Sequence, residues 1–172
     1  MPASAPWPGQ RAALQALDSY QFHGQLAAAT ASEGFSAALS WQQRGPVSDA
    51  QLRAPFGVGG ARLRVDADGL QMTSSSGVAL EGAAAHEAMI GLLGFEPPLA
   101  SLRYWLLGVP DPGAPAEEVL DGAQHLQRLV QHGWQVEYGE YSHQGRLWLP
   151  GRVTLRHEPA RLKVHITRWQ LS

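Results

Sequence analysis

The chain has 172 residues, which suits one domain with a substantial core of its own. Hydrophobic residues make up 44% and charged residues 16%, so much of the exterior must consist of Gly, Ala, Ser and Gln. Thirteen basic and fifteen acidic residues, with no run of Lys or Arg, argue against a nucleic-acid partner. The absence of cysteine excludes disulfides, thiolate metal sites and cysteine nucleophiles.

The beginning of the chain predicts a flexible tether followed by one domain. Residues 1–9 are rich in Pro, Ala and Ser, and we expect ordered structure over residues 10–172, starting with a short helix over residues 10–18. No basic segment followed by an apolar run opens the chain, and no apolar stretch approaches the ~20 residues that cross a bilayer. The chain as given is therefore expected to be soluble.

Alternation of apolar and polar residues predicts a β-meander of about six strands between Tyr20 and Glu81. Its first two strands, around Phe22 and Trp41, form a hairpin with Tyr20, Phe22, Leu26 and Ala28 on one face. Asp68-Gly69 and Ser74–Gly77 supply turns further along.

Helical spacing then replaces the alternation. Apolar residues from Ala85 to Leu93 predict one helix that ends at Gly94, and those from Leu99 to Leu106 predict a second that ends at Gly108. The second helix is apolar nearly all round, so something other than water should cover the flank formed by Tyr104, Trp105 and Leu107.

Beyond a long connection at residues 111–122, strand character resumes at Gln124–Val130, Trp134–Tyr138, Val153–His157 and Leu162–Leu171. The expected fold is mainly β with inserted helices: about eleven short antiparallel strands and three helices. A flat sheet of that width tends to curl, which predicts one strongly curved sheet.

Familiar catalytic and cofactor motifs are missing or incomplete. The seven histidines lack ligand spacing; His86-Glu87 begins like a zinc-protease helix, but Ile90 stands where the second ligand would be. Gly57-Val58-Gly59-Gly60 opens a strand rather than a helix, which disfavours a dinucleotide site. We expect no metal, no cofactor and no enzymatic activity, although an unfamiliar carboxylate pair stays open.

Apolar side chains on strand faces and on the two inserted helices can be interpreted as an ordinary core or as a lidded cavity for hydrocarbon. Taken as a whole, the pattern favours the cavity, because helices inserted in a curved sheet could form its lid. The candidate lining residues are Phe22, Leu26, Leu39, Trp41, Leu52, Leu63, Val65, Met72, Met89, Leu93, Leu102, Trp105, Leu106, Val136 and Tyr138.

A second candidate site is the loop Pro55-Phe56-Gly57, which joins two predicted strands. Proline and glycines permit a sharp turn that would present Phe56 to solvent. The competing interpretation is that the ring folds back to plug the end of the core.

Several stretches resemble the LolB family of outer-membrane lipoprotein receptors over nearly the whole chain. The most specific is Pro98-Leu99-Ala100-Ser101-Leu102-Arg103-Tyr104-Trp105-Leu106-Leu107-Gly108. Supporting matches are Tyr20–Gly24, Phe35–Gln43, Ala54–Gly57, Glu87–Gly91, Tyr138–Tyr141 and Leu162–Val164 with Trp169.

This resemblance implies a half-open antiparallel barrel with a helical lid, which encloses lipoprotein acyl chains. It implies a monomer that accepts lipoproteins from the periplasmic carrier LolA and inserts them into the inner leaflet of the outer membrane. Family members carry a lipidated N-terminal cysteine, so we expect an anchor on the periplasmic face that this chain lacks. The family presents an apolar residue, commonly Leu, where Phe56 stands, which implies membrane delivery by this loop.

Two other functions stay open at this stage. A periplasmic lipid or lipoprotein carrier without insertion activity would also need the cavity, but would not need an exposed Phe56. A hydrolase of lipid substrates would need a Ser or His nucleophile or base that no motif identifies.

Overall fold

The structure, a computed structural model, describes residues 7–32, 34–54 and 60–171. Within these ranges the chain forms three helices: α1 (Trp7–Gln15), α2 (Gly82–Leu93) and α3 (Leu99–Trp105). The strands are β1 (Ser19–Ala29), β2 (Gly34–Arg44), β3 (Val47–Arg53), β4 (Gly60–Asp66), β5 (Gly69–Ser74), β6 (Ala79–Glu81), β7 (Glu117–Leu120), β8 (Leu126–Gln131), β9 (Trp134–Gly139), β10 (Ser142–Gln144), β11 (Leu147–Leu149), β12 (Arg152–His157) and β13 (Ala160–Leu171).

Eleven of these strands form one antiparallel sheet in the order β6-β5-β4-β3-β2-β1-β13-β12-β9-β8-β7, and β10 pairs with β11 separately. The edge strands β6 and β7 do not pair with each other within the described chain, so the barrel stays half-open. The two lid helices lie between these edge strands in the sequence. The predicted fold class, an antiparallel half-open barrel with inserted helices, is confirmed.

The centre of the sheet is the pairing of β1 with β13, which joins its N-terminal and C-terminal halves. The register shifts between His23 and Gly24, and the hydroxyl of Thr167 donates a hydrogen bond to the His23 carbonyl at 3.0 Å. A side chain at Gly24 would overlap the His165 carbonyl oxygen. Glycine is therefore required here for the close approach of two backbones.

Alternate residues of the strands form the core on the inner face. Along β1, Tyr20, Phe22, Leu26 and Ala28 are buried, as the period of two predicts. Three aromatic rings pack together in this core. The centroid of the Phe22 ring lies 5.1 Å from that of Trp169 and 6.3 Å from that of Trp41.

Buried Gln131 fixes α3 and the segment that follows it to the sheet. Its side-chain oxygen accepts hydrogen bonds from the Trp105 indole N–H and the Asp111 amide, both at 2.8 Å. Its amide nitrogen donates to the carbonyls of Asp111 at 2.8 Å and Ala114 at 2.9 Å. All four hydrogen-bonding positions of this buried amide are thus used.

The structure differs from the sequence expectations at a few elements. α1 begins at Trp7, three residues before the predicted start, because the Trp7 and Leu14 side chains are both buried. Trp7–Gly9 were placed in the predicted tether, whose first six residues lie outside the described ranges. The predicted connection at 111–122 contains β7, and the β10–β11 hairpin was not predicted at all.

Replacing Gly24 by alanine is expected to lower the free energy of unfolding by roughly 2–4 kcal/mol, because β1 and β13 must separate to admit the methyl group. The matched control is Gly34→Ala, also in a strand, where an added Cβ meets nothing closer than 3.8 Å. Urea unfolding followed by circular dichroism measures both. Equal stabilities would contradict the proposed close approach.

Gln131→Leu is expected to cost roughly 2–5 kcal/mol of unfolding free energy, since it leaves the Trp105 indole N–H and the Asp111 amide buried without partners. Gln127→Leu, on an exposed position of the same strand, should stay within ~0.5 kcal/mol of the parent. Denaturant midpoints of the two variants provide the comparison. A loss below ~1 kcal/mol for Gln131→Leu would show that these bonds do not fix α3.

Candidate functional site

The inner face of the sheet and the lid, defined as residues 82–106, enclose a cavity of about 40 Å³. Its walls are contributed by β1 to β4, β13 and both lid helices with their linker. The lining residues are Leu26, Leu39, Trp41, Ser48, Ala50, Leu52, Leu63, Val65, Met89, Leu93, Pro97, Leu99, Leu102, Leu106, Leu162 and Val164.

Most of the predicted lining residues meet at this cavity. They are Leu26, Leu39, Trp41, Leu52, Leu63, Val65, Met89, Leu93, Leu102 and Leu106. The remaining predictions lie in the same core without lining the cavity: Phe22, Met72, Trp105, Val136 and Tyr138. The structure adds Ala50, Pro97, Leu99, Leu162 and Val164, whose apolar character fitted the pattern but did not single them out.

Among the described residues that line the cavity, the Ser48 hydroxyl and the Trp41 indole both donate hydrogen bonds to Gln43. Gln43, which is 1% exposed, accepts at its side-chain oxygen from the Ser48 hydroxyl at 2.7 Å and from the Trp41 indole N–H at 3.2 Å. Its amide nitrogen donates to the Gly45 carbonyl at 2.9 Å. A cavity whose polar neighbours are satisfied elsewhere offers water few partners and suits an apolar guest.

The two lid helices are attached in different ways. The Tyr20 hydroxyl donates to the Arg103 carbonyl at 2.6 Å, and the Tyr138 hydroxyl donates to the Trp105 carbonyl at 2.7 Å. Burial raises the pKa of Tyr20 and of Tyr138 well above the ordinary value for a phenol, so both remain protonated donors. Together with Gln131, these bonds hold α3 against the sheet.

In contrast, α2 is held by packing. Met89 and Ala85 are fully buried beneath it, whereas Ile90 on its far side is 43% exposed. Among the described residues, the one side-chain hydrogen bond of α2 runs from His86 to Glu96 in the lid's own linker. No side chain caps its first turn, and it ends at Gly94, which has a positive φ of 90°. No directional bond therefore ties α2 to the sheet in this part of the chain.

The flank of α3 that the sequence predicted to be covered is covered by protein. Trp105 and Leu107 are each at most 1% exposed, and Tyr104 is partly buried against the core. Since Trp105 donates to Gln131 on β8, this flank belongs to the anchored side of the helix and not to the cavity.

An open cleft of about 560 Å³ adjoins the cavity at the lid linker. It lies between residues 96–101 of the lid, the β4–β5 turn and the β8–β9 turn, and it shares Val65, Pro97 and Leu99 with the cavity wall. The cavity itself has room for about three water molecules at most, since each needs ~10–15 Å³ of such space. The described conformation therefore has no room for an acyl chain.

The second predicted site, Pro55-Phe56-Gly57, lies outside the described residues. The segment joins Arg53 to Gly60, which are cross-strand partners at the ends of β3 and β4. Presentation of Phe56 stays a prediction.

Two features are absent from the described parts of the chain. No group of three or more His, Asp or Glu side chains there could hold a metal ion. No helix there combines the length and the apolar character needed to span a membrane.

Comparisons with known proteins give the family. The family model described as outer membrane lipoprotein LolB matches residues 18–169. The outer-membrane lipoprotein LolB of Nitrosococcus oceani is 34% identical over 167 residues, which cover 96% of this chain and 83% of that protein. The corresponding protein of Alkalilimnicola ehrlichii is 36% identical over 161 residues, with 92% and 80% coverage.

Solved structures share the fold at much lower identity. A LolA superfamily protein from Nitrosomonas europaea has a TM-score of 0.56 and 8% identity, and covers 98% of this chain and 94% of that chain. A DUF1329 family protein from Desulfovibrio piger has a TM-score of 0.55 and 4% identity, with 96% and 90% coverage. Because the family model spans nearly the whole chain and relatives exceed 30% identity over it, this protein belongs to the LolB family of outer membrane lipoproteins.

Proposed function

We propose that this protein is a lipoprotein receptor, which encloses lipoprotein acyl chains beneath its lid and passes them to the outer membrane. The observation that carries the proposal is the apolar cavity between the curved sheet and the lid, whose neighbouring polar groups bond to one another. Membership of the LolB family supports the same conclusion. The place of action is then the periplasmic face of the outer membrane.

The physics of hydrocarbon determines how such a receptor works. Burial of each methylene contributes about 0.8 kcal/mol, so release of acyl chains into water would cost tens of kcal/mol. Lipoprotein must therefore pass directly from one apolar site to another. The donor proposed here is a LolA-type carrier, and transfer needs no nucleotide if the accepting cavity binds the chains more tightly than the carrier does.

Opening of the lid follows from its unequal attachment. α3 is held by hydrogen bonds from Tyr20, Tyr138 and Trp105, whereas α2 is held by apolar contacts of Met89 and its neighbours. When α2 moves aside, an entering acyl chain can replace the apolar contacts that the sheet loses. We infer that α2 moves while α3 stays in place, and that chains enter through the adjoining cleft at the linker.

Met89→Glu is expected to weaken binding of a dansyl-labelled fatty acid at least about tenfold, because it places a carboxyl group inside the apolar cavity. The matched control is Ile90→Glu, which adds the same group to the exposed side of the same helix and should bind the probe as the parent does. Fluorescence titration measures both affinities.

Since Met89→Glu could disturb the lid itself, Leu63→Asn tests the opposite wall on β4. It should reduce binding in the same direction while circular dichroism stays unchanged. Unaltered affinity in both cavity variants would remove the cavity as the acyl site.

Phe56→Glu is expected to preserve acceptance of lipoprotein but to block its delivery, because a charged residue does not enter the membrane interface as an aromatic ring does. Acceptance is measured as transfer of a labelled lipoprotein from LolA, and delivery as its subsequent incorporation into phospholipid vesicles. Val78→Glu is the control, since Val78 is 54% exposed in the neighbouring β5–β6 turn.

The control is expected to deliver lipoprotein normally. Normal delivery by Phe56→Glu would instead favour a carrier without insertion activity and return Phe56 to the core. Equal loss in both variants would show that any charge at this end of the sheet interferes, and that Phe56 has no special role.

A further inference from the structure

A polar cleft of about 510 Å³ lies on the outer face of the sheet, on the side away from the apolar cavity. It crosses β8, β9, β12 and β13, strands that are remote in sequence from most of the cavity wall. The proposed receptor function does not use it.

The register of the sheet gives this cleft a definite geometry. Arg128 on β8 lies opposite Glu137 on β9. Glu137 also lies opposite Thr154 on β12, and Thr154 lies opposite Lys163 on β13. Arg152 and Arg156 lie two residues before and after Thr154 on the same face of β12. Thr154 thus has Lys163 on one neighbouring strand, Glu137 on the other with Arg128 beyond it, and two arginines along its own strand.

The charges of the cleft are unbalanced. It gathers four of the chain's thirteen basic side chains and one carboxylate, Glu137. Glu137 accepts a hydrogen bond from Gln135 at 2.9 Å. Carboxylates on adjacent segments are engaged by other residues: Glu118 by Arg11 at 2.8 Å, and Glu140 by His165 at 3.1 Å. In the described part of the chain, none of the four cations of the cleft forms an ion pair.

Two polar groups in the cleft lack a hydrogen-bond partner among the described residues. One is the Thr154 hydroxyl, which is open to the cleft although the residue as a whole is 6% exposed. The Arg156 Nε atom is buried and likewise lacks an acceptor among them. Unsatisfied buried groups of this kind are uncommon in folded proteins and need an explanation.

Position 139, beside the cleft, has no room for a side chain larger than that of glycine. Gly139 on β9 lies beneath the Arg152 guanidinium, which occupies the space that a Cβ would fill. The Arg152 side chain thus lies over Gly139 at the surface of the sheet and remains exposed to solvent. A row of solvated surface charges would account for the exposed Arg128, Arg152 and Lys163, but it does not explain the buried Arg156 Nε without an acceptor.

We propose that this cleft binds a phosphate-bearing group. A phosphate offers several acceptor oxygens in different directions, which suits the cations around Thr154: Lys163 on β13, and Arg152 and Arg156 along β12. The Thr154 hydroxyl and the Arg156 Nε would each gain the acceptor that they lack. The source of the phosphate is either a phospholipid headgroup or a soluble phosphate ion or ester.

The first experiment is a titration of the full chain with inorganic phosphate at low ionic strength, followed by amide resonances in ¹H–¹⁵N spectra. We expect saturable shifts around Thr154 and its neighbours, with a midpoint in the millimolar range or below. Arg128→Gln/Lys163→Gln should weaken binding roughly tenfold per cation, and Thr154→Val, which keeps the shape, about tenfold.

The matched control is Arg62→Gln/Arg64→Gln, which removes the same charge elsewhere on the outer face, where Asp49 and Asp66 pair with these arginines at 2.6 and 3.4 Å. Its affinity should remain within about twofold of the parent. Equal weakening in control and cleft variants would mean that phosphate senses net charge, and the proposal would fail.

The second experiment distinguishes the sources by sedimentation with vesicles of phosphatidylglycerol and phosphatidylethanolamine. Binding that the cleft variants lose and the control keeps assigns the site to headgroups. Phosphate shifts without vesicle binding assign it to a soluble phosphate. If neither probe binds, or if polyglutamate alone binds and depends on the same residues, the cleft serves no phosphate and the proposal is wrong.

Discussion

The constraint on which this structure depends is that the apolar inner face of a wide, open sheet must be kept from water. Eleven strands curve around that face, but the edge strands β6 and β7 do not meet in the described chain. Burial of hydrocarbon is the dominant favourable contribution to folding, so an uncovered gap would expose core residues of many strands at once. α2 and α3 follow β6 and precede β7 in the sequence, so the helices that cover the gap belong to the same domain as the sheet.

The cover combines two kinds of attachment with different physical consequences. Hydrogen bonds to α3 are directional, and breaking them would leave buried donors such as the Trp105 indole without acceptors. The apolar contacts of α2 are not directional, and an acyl chain can replace them at little net cost because hydrocarbon meets hydrocarbon in both states. A lid fixed along one helix and exchangeable along the other can admit a guest without loss of the fold.

Features of the fold and of the site that depend on residues close together in the sequence could be predicted. Features that depend on residues far apart in the sequence could not. The alternation from Tyr20 to Ala28 placed the right residues inside, and the lid helices were found by their spacing and terminal glycines. Trp105 was assigned to the cavity because its helix is apolar all round; its true position depends on Gln131, 26 residues away. β7 was missed because a four-residue edge strand carries little periodic signal. A sequence pattern shows that a residue is buried, whereas long-range partners decide which side of the core it occupies.

The outer cleft also depends on residues that are distant in the sequence, and here these residues are charged instead of apolar. Its cations are spread from Arg128 to Lys163, so the sequence has no basic run, and the antiparallel register alone brings them together. The period of two on β12 turns Val153 and Leu155 into the core while Thr154 faces outward, so neighbouring residues serve opposite faces. Polar changes at outward positions of β12 leave the inner wall intact. If both proposed sites are used, the sheet holds hydrocarbon on one face and an anion on the other, through separate sets of residues.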